Sequence, residues 1–139
     1  MEGHQTASSK RATRRWSRYD AADLGFRHYR YPVLESKRLG KRPLPVTLCG
    51  EKIVLIRDRN KVYALHDRCP HRGVPLSAGR REFAGTLSCI YHGWTYDLAT
   101  GELVEALTDG PHSPICEKGS VRVQTYPVEA RAGLVWVYV

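Results

Sequence analysis

Two short segments of this sequence place a cysteine close to a histidine. The first is CPHRG at 69–73, and the second is CIYHGW at 89–94. Thiolate sulfur and imidazole nitrogen are ligands that both zinc and iron–sulfur clusters accept. The sequence therefore predicts a metal site formed by Cys69, His71, Cys89 and His92.

The spacing of these four residues favours a two-iron cluster over zinc. Cys69 and His71 are followed, after seventeen residues, by Cys89 and His92. Zinc fingers usually pair cysteine with cysteine and histidine with histidine at short range, whereas each segment here supplies one of each. A cluster whose second iron is bound by histidines explains the pattern if each of two opposing loops gives one ligand to each iron. A structural zinc site and four unrelated loop residues remain as alternatives.

Short strands must position both segments, because the sequence has little helical periodicity. Runs of β-forming residues between turn residues predict strands over 29–34, 46–49, 53–57, 62–66, 86–89, 95–97, 102–104, 121–125, 128–129 and 134–139. Residues 20–27 are compatible with one helical turn, and residues 107–119 are predicted to form a loop. The fold class is therefore all-β, and both metal-binding segments lie in loops on a β scaffold.

Composition and charge limit the class of protein. The 139 residues, 42% hydrophobic and 26% charged, fit one globular domain. Five of the 22 basic residues lie in the first eighteen positions beside a single acid, so half of the net charge of +8 is local to that end. We expect 1–19 to be a disordered basic tail and 20–139 to form the domain. Because the sequence has no DNA-binding motif, membrane-length apolar run or secretory signal, we expect a cytoplasmic protein that binds neither nucleic acid nor membrane.

The two segments and their surroundings resemble a known family. CPHRG followed by CxYHGW resembles the Rieske [2Fe-2S] domain, and specifically the N-terminal Rieske domain of Rieske non-haem iron (aromatic-ring-hydroxylating) oxygenase large subunits. The resemblance runs from RYPV at 30–33 through VLIRD at 54–58 to GLVWV at 133–137. It implies the Rieske fold, an antiparallel β-sandwich or barrel base with a small cluster-binding unit near 66–97. It also implies that Cys69 and Cys89 hold the inner iron and that His71 and His92 hold the outer iron, near the surface.

Three positions differ from the Rieske proteins of respiratory and photosynthetic complexes. Those proteins have a disulfide between the loops, where this chain has Val74 and Tyr91, and a serine bonded to a bridging sulfide, where it has Trp94. Because hydrogen bonds to sulfur stabilise the reduced cluster, we expect a reduction potential near the low end of the Rieske range. Trp94 and Tyr96 are predicted to pack beneath the cluster, with the Tyr96 hydroxyl in reach of a cysteine sulfur.

Other residues with reactive side chains are not predicted as ligands. Cys49 is predicted to be a small buried thiol in a strand, and Cys116 and His112 fall in the loop at 107–119. His66 is predicted to pack at a strand end. Four arginines lie around the first segment: Arg68, Arg72, Arg80 and Arg81. They form either a solvated collar or a docking surface, for an acidic redox partner or for the oxygenase's own catalytic domain.

The resemblance implies that the chain transfers electrons. An oxygenase of this family also needs a mononuclear iron held by two histidines and a carboxylate, and only His112 follows His92. We therefore expect an oxidoreductase component without a catalytic site of its own, the N-terminal part of an oxygenase subunit. It would receive electrons from an acidic flavin reductase or a ferredoxin and pass them to a non-haem iron oxygenase domain. A self-contained Rieske ferredoxin and a zinc-stabilised interaction module are the alternatives.

Overall fold

A computed structural model of the protein describes residues 27–110 and 113–139. The expected basic tail and most of the expected helical turn at 20–27 lie outside these ranges. Within them the chain is β-structure with short 3₁₀ turns, which confirms the all-β prediction. No helix in the described ranges is long and apolar enough to cross a membrane. The strands are β1 Arg30–Glu35, β2 Leu44–Leu48, β3 Glu51–Asp58, β4 Lys61–His66, β5 Thr86–Ser88, β6 Trp94–Asp97, β7 Leu103–Ala106, β8 Thr125–Tyr126, β9 Val128–Arg131 and β10 Leu134–Tyr138.

These strands form three antiparallel sheets. The first sheet has the order β1-β10-β9, the second β2-β3-β4-β8 and the third β5-β6-β7. The third sheet carries the segment CIYHGW in its β5–β6 connection, and the segment CPHRG lies between β4 and β5. Since this sheet also includes β7, it extends past residue 97, and the limits of the cluster-binding unit stay a prediction.

Strand β3 lies between two hydrophobic cores, which makes the second sheet the middle layer. Its side chains alternate between the two faces, as the pleat of a strand requires. Val54 and Ile56 pack in the core that contains Cys69 and Cys89, while Ile53 and Leu55 pack against the first sheet. All four are fully buried. Because both faces of β3 are buried, its sequence is a continuous apolar run and does not alternate between apolar and polar residues.

The segment predicted as a strand at 121–125 is mostly irregular. Only Thr125 belongs to β8, while the preceding residues bond across the turn at Gly101. The amide of Val123 donates to the Gly101 carbonyl at 2.8 Å, and the Leu103 amide donates to the Val121 carbonyl at 3.1 Å. A Cβ at Gly101 would lie 2.0 Å from the Val123 oxygen, so the close approach requires glycine.

Two other local predictions are also corrected. Cys49 does not lie in a strand but in the β2–β3 turn, with φ of 49°, and its side chain is half-buried. The segment predicted as a loop at 107–119 contains two 3₁₀ turns, Leu107–Asp109 and Pro114–Gly119. The second turn begins where the Ser113 hydroxyl accepts a hydrogen bond from the Ile115 amide at 3.4 Å. The intervening His112 lies outside the described residues.

The side chain of Arg81 connects the third sheet to the second by hydrogen bonds. Its Nε donates to the Thr86 carbonyl at 3.1 Å, and its Nη1 donates to the Arg57 carbonyl at 2.9 Å. Its Nη2 pairs with the carboxylate of Asp58, which also accepts from the Gly85 amide at 3.1 Å. The fixed fork of a guanidinium allows one side chain to bond three partners. Arg81 therefore holds the domain together and is not part of the exposed collar.

Replacement of Arg81 by alanine is expected to destabilise the fold. Arg81→Ala leaves the mostly buried carboxylate of Asp58 without its cation, so the free energy of unfolding should fall by about 2 kcal/mol. Urea unfolding followed by circular dichroism measures this change. The matched control is Arg80→Ala, because the neighbouring Arg80 side chain is exposed, and its effect should stay within about 0.5 kcal/mol. Equal losses in the two variants would contradict this role of Arg81.

Candidate metal centre

The two segments that contain the predicted ligands fold into loops with the same backbone hydrogen bonds. In residues 69–74, the Cys69 amide donates to the Val74 carbonyl at 2.8 Å, and the Gly73 amide donates to the Cys69 carbonyl at 2.8 Å. In residues 89–94, the amide of Cys89 donates to the Trp94 carbonyl at 2.8 Å, and the Gly93 amide donates to the Cys89 carbonyl at 3.1 Å. We call these the first and the second loop. Each is closed on its own cysteine, so the two cysteines occupy equivalent positions.

A glycine with a left-handed backbone makes each closure possible. Gly73 has φ of 75° and Gly93 has φ of 68°, a region that L side chains rarely adopt. Both glycines stand four residues after the cysteine of their loop. The shared cysteine and glycine spacing is therefore the sequence feature that specifies two loops of one shape, while the histidine position differs by one residue between them.

The two thiols lie side by side in the core. Cys69 is 2% exposed and Cys89 is 4% exposed, and none of the chain's four cysteines is in a disulfide. Burial raises the pKa of the Cys89 thiol, and its direct interaction with Cys69 adds to this rise. The backbone amides of Tyr91 and His92 act in the opposite direction by donating to the Cys89 sulfur. These amides are placed to stabilise negative charge on that sulfur, which is the form a metal binds.

The two imidazoles lie together on the outer side of the thiols. The ring centroids of His71 and His92 are 4.6 Å apart, with an angle of 68° between the planes. Both histidines are partly exposed, in contrast to the buried cysteines. The indole of Trp94 stacks on His71 with centroids 4.2 Å apart and planes 6° from parallel. The ring of Tyr91, which is 61% exposed, lies 3.8 Å from that of His92.

Tyr96 supplies a hydrogen bond to the first cysteine, as the sequence predicted. Its hydroxyl lies 3.2 Å from Cys69 Sγ, and its side chain is fully buried. Burial, together with the contact to Cys69, raises the pKa of Tyr96 well above its ordinary value. The phenol therefore keeps its proton and donates to a thiolate or a metal-bound sulfur.

Side chains outside the two segments hold each loop in place, and these were missed by the sequence prediction. The buried carboxylate of Asp67 accepts from the Ser77 amide at 2.6 Å and from the Ser77 hydroxyl at 2.7 Å, which ties the start of the first loop to the 3₁₀ turn Leu76–Ala78. The hydroxyls of Ser88 and Thr95 bond at 2.7 Å across β5 and β6, and Thr95 also donates to the Gly93 carbonyl at 3.1 Å. Serine and threonine at these positions carry no sequence signal that separates them from surface residues.

The donor set fits a two-iron cluster. Two adjacent thiols lie inside and two adjacent imidazoles lie outside, which is the division of ligands that a histidine-ligated two-iron cluster requires. A tetrahedral zinc ion needs four donors around one point. Among the described residues, no three cysteine, histidine or acidic side chains are placed to hold a single metal ion.

The remaining candidates from the sequence lie away from this pair of loops. His66 is part of a polar group with Glu51, whose Oε2 lies 3.9 Å from His66 Nδ1. Hydrogen bonds from Arg27 and then Tyr126 lower the pKa of Glu51, while burial and the bond to Glu51 raise that of Tyr126 to about 12. Cys116 packs beside the core in the turn Pro114–Gly119. Neither His66 nor Cys116 joins the ligand set.

Comparison with known proteins agrees with this geometry. The chain matches the Rieske [2Fe-2S] domain over residues 29–127. It is 46% identical over 138 residues to the terminal oxygenase component of carbazole 1,9a-dioxygenase from a Sphingomonas species, a match that covers 98% of this chain and 36% of that protein. Among solved structures, it is similar to the terminal oxygenase of carbazole 1,9a-dioxygenase from Nocardioides aromaticivorans IC177, with a TM-score of 0.80, 43% identity, and coverage of 89% of this chain and 34% of the other.

A third similar structure contains a redox partner. It is the reduced complex between oxygenase and ferredoxin in carbazole 1,9a-dioxygenase, with a TM-score of 0.77 and 40% identity over 88% of this chain and 31% of the other. The chain thus spans about a third of the length of these relatives and corresponds to their N-terminal Rieske part. Sequence, fold and loop geometry lead to one assignment: the chain belongs to the family of Rieske [2Fe-2S] domains, whose cofactor is a two-iron, two-sulfide cluster.

Proposed function

We propose that this chain carries single electrons through a [2Fe-2S] cluster held by Cys69, His71, Cys89 and His92. The observation that supports the proposal is the pair of matched loops, which bring two buried thiols and two partly exposed imidazoles together. In this proposal Cys69 and Cys89 bind the inner iron, and His71 and His92 bind the outer iron. When bound, such a cluster takes up and releases one electron at a potential of roughly −150 to +300 mV.

The chain's own residues would determine where in that range the potential lies. Tyr96 donates to Cys69, and two backbone amides donate to Cys89, so both cysteine sulfurs receive hydrogen bonds. The position of the serine found in high-potential relatives is occupied by Trp94, whose Nε1 bonds to no partner among the described residues. The missing hydroxyl supports a potential near the low end of the range.

The physiological setting that we propose is a non-haem iron oxygenase system. This chain would serve as the N-terminal Rieske part of the oxygenase subunit, receive electrons from a ferredoxin or a flavin reductase, and pass them to a mononuclear iron domain. Supporting this, the similar proteins are terminal oxygenase components, and one of them is seen in complex with a ferredoxin. We also propose a cytoplasmic location, because cysteines in a reducing compartment more often bind metal than form disulfides.

An acidic face on the electron donor would match the surface beside the histidines. Arg68, Arg72 and Arg80 are exposed around the two loops, and within the described residues none of them is paired with a carboxylate. The Arg68 guanidinium lies over the first loop, where a Cβ at Gly73 would be 3.1 Å from its Nε. Positive charge next to a redox centre raises the rate of encounter with a negative partner.

Electron paramagnetic resonance tests the ligand set directly. The anaerobically purified chain should be silent when oxidised and should gain the signal of a histidine-ligated [2Fe-2S] cluster after dithionite, with two iron and two sulfide per chain. His71→Cys and His92→Cys should each abolish that signal, because thiolate on the outer iron changes its electronic structure. Cys116→Ser and His66→Gln are the matched controls and should keep it. One zinc per chain without sulfide would reject the proposal.

Loss of the Tyr96 hydroxyl should lower the reduction potential. Tyr96→Phe removes one hydrogen bond to Cys69 sulfur without changing the ring, and this bond favours the reduced cluster. A bond of about 0.5–1.5 kcal/mol corresponds to a decrease of roughly 20–60 mV for one electron. A redox titration followed by the same resonance signal measures it. Tyr91→Phe, which changes an exposed phenol beside His92, is the control and should leave the potential within error.

Charge reversal tests the docking surface. Arg72→Glu combined with Arg80→Glu should slow reduction by an acidic ferredoxin about tenfold at low salt and flatten its dependence on ionic strength. Stopped-flow measurement of cluster bleaching gives both quantities. The control is Arg59→Glu, in the turn at the other end of the β3–β4 hairpin, and a photoreduced flavin as donor reports any change in the cluster itself. Unchanged rates and salt dependence would exclude these arginines from docking.

A further inference from the structure

The two histidines of the metal centre have different neighbours. His71, in the first loop, has one ring face covered by Trp94 of the second loop, at 4.2 Å and 6°. Trp94 is only 5% exposed, and its carbonyl closes the second loop on Cys89. His92 instead lies beside Tyr91, its neighbour in the same loop, whose exposed ring is tilted by 51°. One imidazole is thus held by a buried ring from the opposite loop, whereas the other is next to a side chain in solvent.

A flat contact of this kind restricts the orientation of an imidazole. Rotation about the bond that joins the ring to Cβ has broad, shallow minima for histidine, so the chain alone leaves the plane of the ring loosely defined. A parallel indole on one face removes most of that freedom. The nitrogen of a histidine ligand binds metal in the plane of its ring, so fixing this plane fixes the direction of the bond. Residues that orient metal ligands in this way typically change metal affinity 10–100-fold when replaced.

Within the described residues, Trp94 contacts His71 through the face of its indole and not through its N–H group. Trp94 Nε1 is buried and has no hydrogen-bond partner among the described residues. An unpaired buried donor is unfavourable, so within the domain the N–H group contributes no stabilising bond. The stacked face, in contrast, contacts a proposed ligand directly. A bond from Nε1 to a cluster sulfur is the competing explanation.

We infer that Trp94 is the positioning residue for His71: its stacked ring sets the plane of that imidazole across the two loops. No buried ring in the described part of the chain stacks on His92 in the same way. The inference rests on the proposed ligand set. It makes the two outer ligands inequivalent, with His71 rigid and His92 adjustable. The contact also makes cluster retention depend on an interaction between the loops that neither loop provides alone.

Two substitutions distinguish the effect of the indole face from the effect of its N–H group. Trp94→Phe keeps a flat aromatic face and removes the N–H group, while Trp94→Leu removes both. In the reduced 139-residue chain, electron spin echo envelope modulation measures the nitrogen couplings of the two bound imidazoles, and a chelator challenge gives the half-life of the cluster. Trp94→Leu should alter one of the two nitrogen couplings and shorten the half-life about tenfold. Trp94→Phe should keep both couplings and a half-life within about twofold of the unaltered chain.

Matched controls distinguish positioning from general destabilisation. Val123→Ala truncates a buried residue of the same core away from the loops and should leave both nitrogen couplings unchanged. Tyr91→Leu removes the neighbour of His92 and should change the half-life less than Trp94→Leu does. If Trp94→Leu fails to fold, Trp94→Met supplies apolar volume without a flat face and carries the same expectation.

The outcomes that overturn the inference are specific. Equal effects of Trp94→Phe and Trp94→Leu would assign the role to the N–H group, and unchanged nitrogen couplings in Trp94→Leu would remove the role altogether. Absence of any histidine-ligated signal in the unaltered chain is a different result, because it would reject the proposed ligand set rather than the role of Trp94.

Discussion

The backbone hydrogen bond from each cysteine amide to the carbonyl five residues later is the constraint on which the whole site depends. Because both loops close in this way, they place Cys69 and Cys89 at equivalent positions and bring the two sulfurs together in the core. The contact between two buried thiols contributes little to the stability of the fold, since a thiol is a weak hydrogen-bond donor and a weak acceptor. Metal binding would replace their protons and turn this arrangement into a source of stability, so folding of the loops and binding of the cluster are expected to be linked.

The three-layer core is what keeps that constraint in place. The first loop follows β4 and is anchored by Asp67, while the second loop begins and ends on paired strands through Ser88 and Thr95. Strand β3 packs on both of its faces and so connects the loop-bearing sheet to the sheet that contains β1 and β10. Arg81 adds a polar connection between the second and third sheets. The loops are therefore short irregular segments held at both ends by rigid structure, which is where functional residues are positioned with the least freedom.

The sequence could predict those features of the fold and the site that depend on residues close together in the chain. The cysteine and histidine spacing, the apolar run of β3 and the Tyr96 hydroxyl were all identifiable, because a ligand type or a strand pattern is carried by neighbouring residues. Contacts between distant segments were not. Arg80 and Arg81 look alike in the sequence, yet only Arg81 points inward, because its partners come from β3 and β5. Cys49 was placed in a strand for a similar reason: β-forming residues surround it, and nothing local indicates that it adopts φ of 49°.

The two kinds of proposed ligand lie in different surroundings, one inside the domain and one at its surface. The thiols are buried with Tyr96 and backbone amides beside them, while the imidazoles reach the surface next to exposed arginines. In the proposed site, hydrogen bonds to the cysteine sulfurs would adjust the reduction potential from inside the domain, away from the surface on which a partner would dock. The imidazoles are partly exposed, so in the proposed site they would offer a partner the shortest approach to the centre. An electron carrier works best when its ligands barely move between oxidation states. In the proposed site, the stacking of Trp94 on His71 and the closure of the two loops would both keep the ligands in place while the charge of the cluster changes.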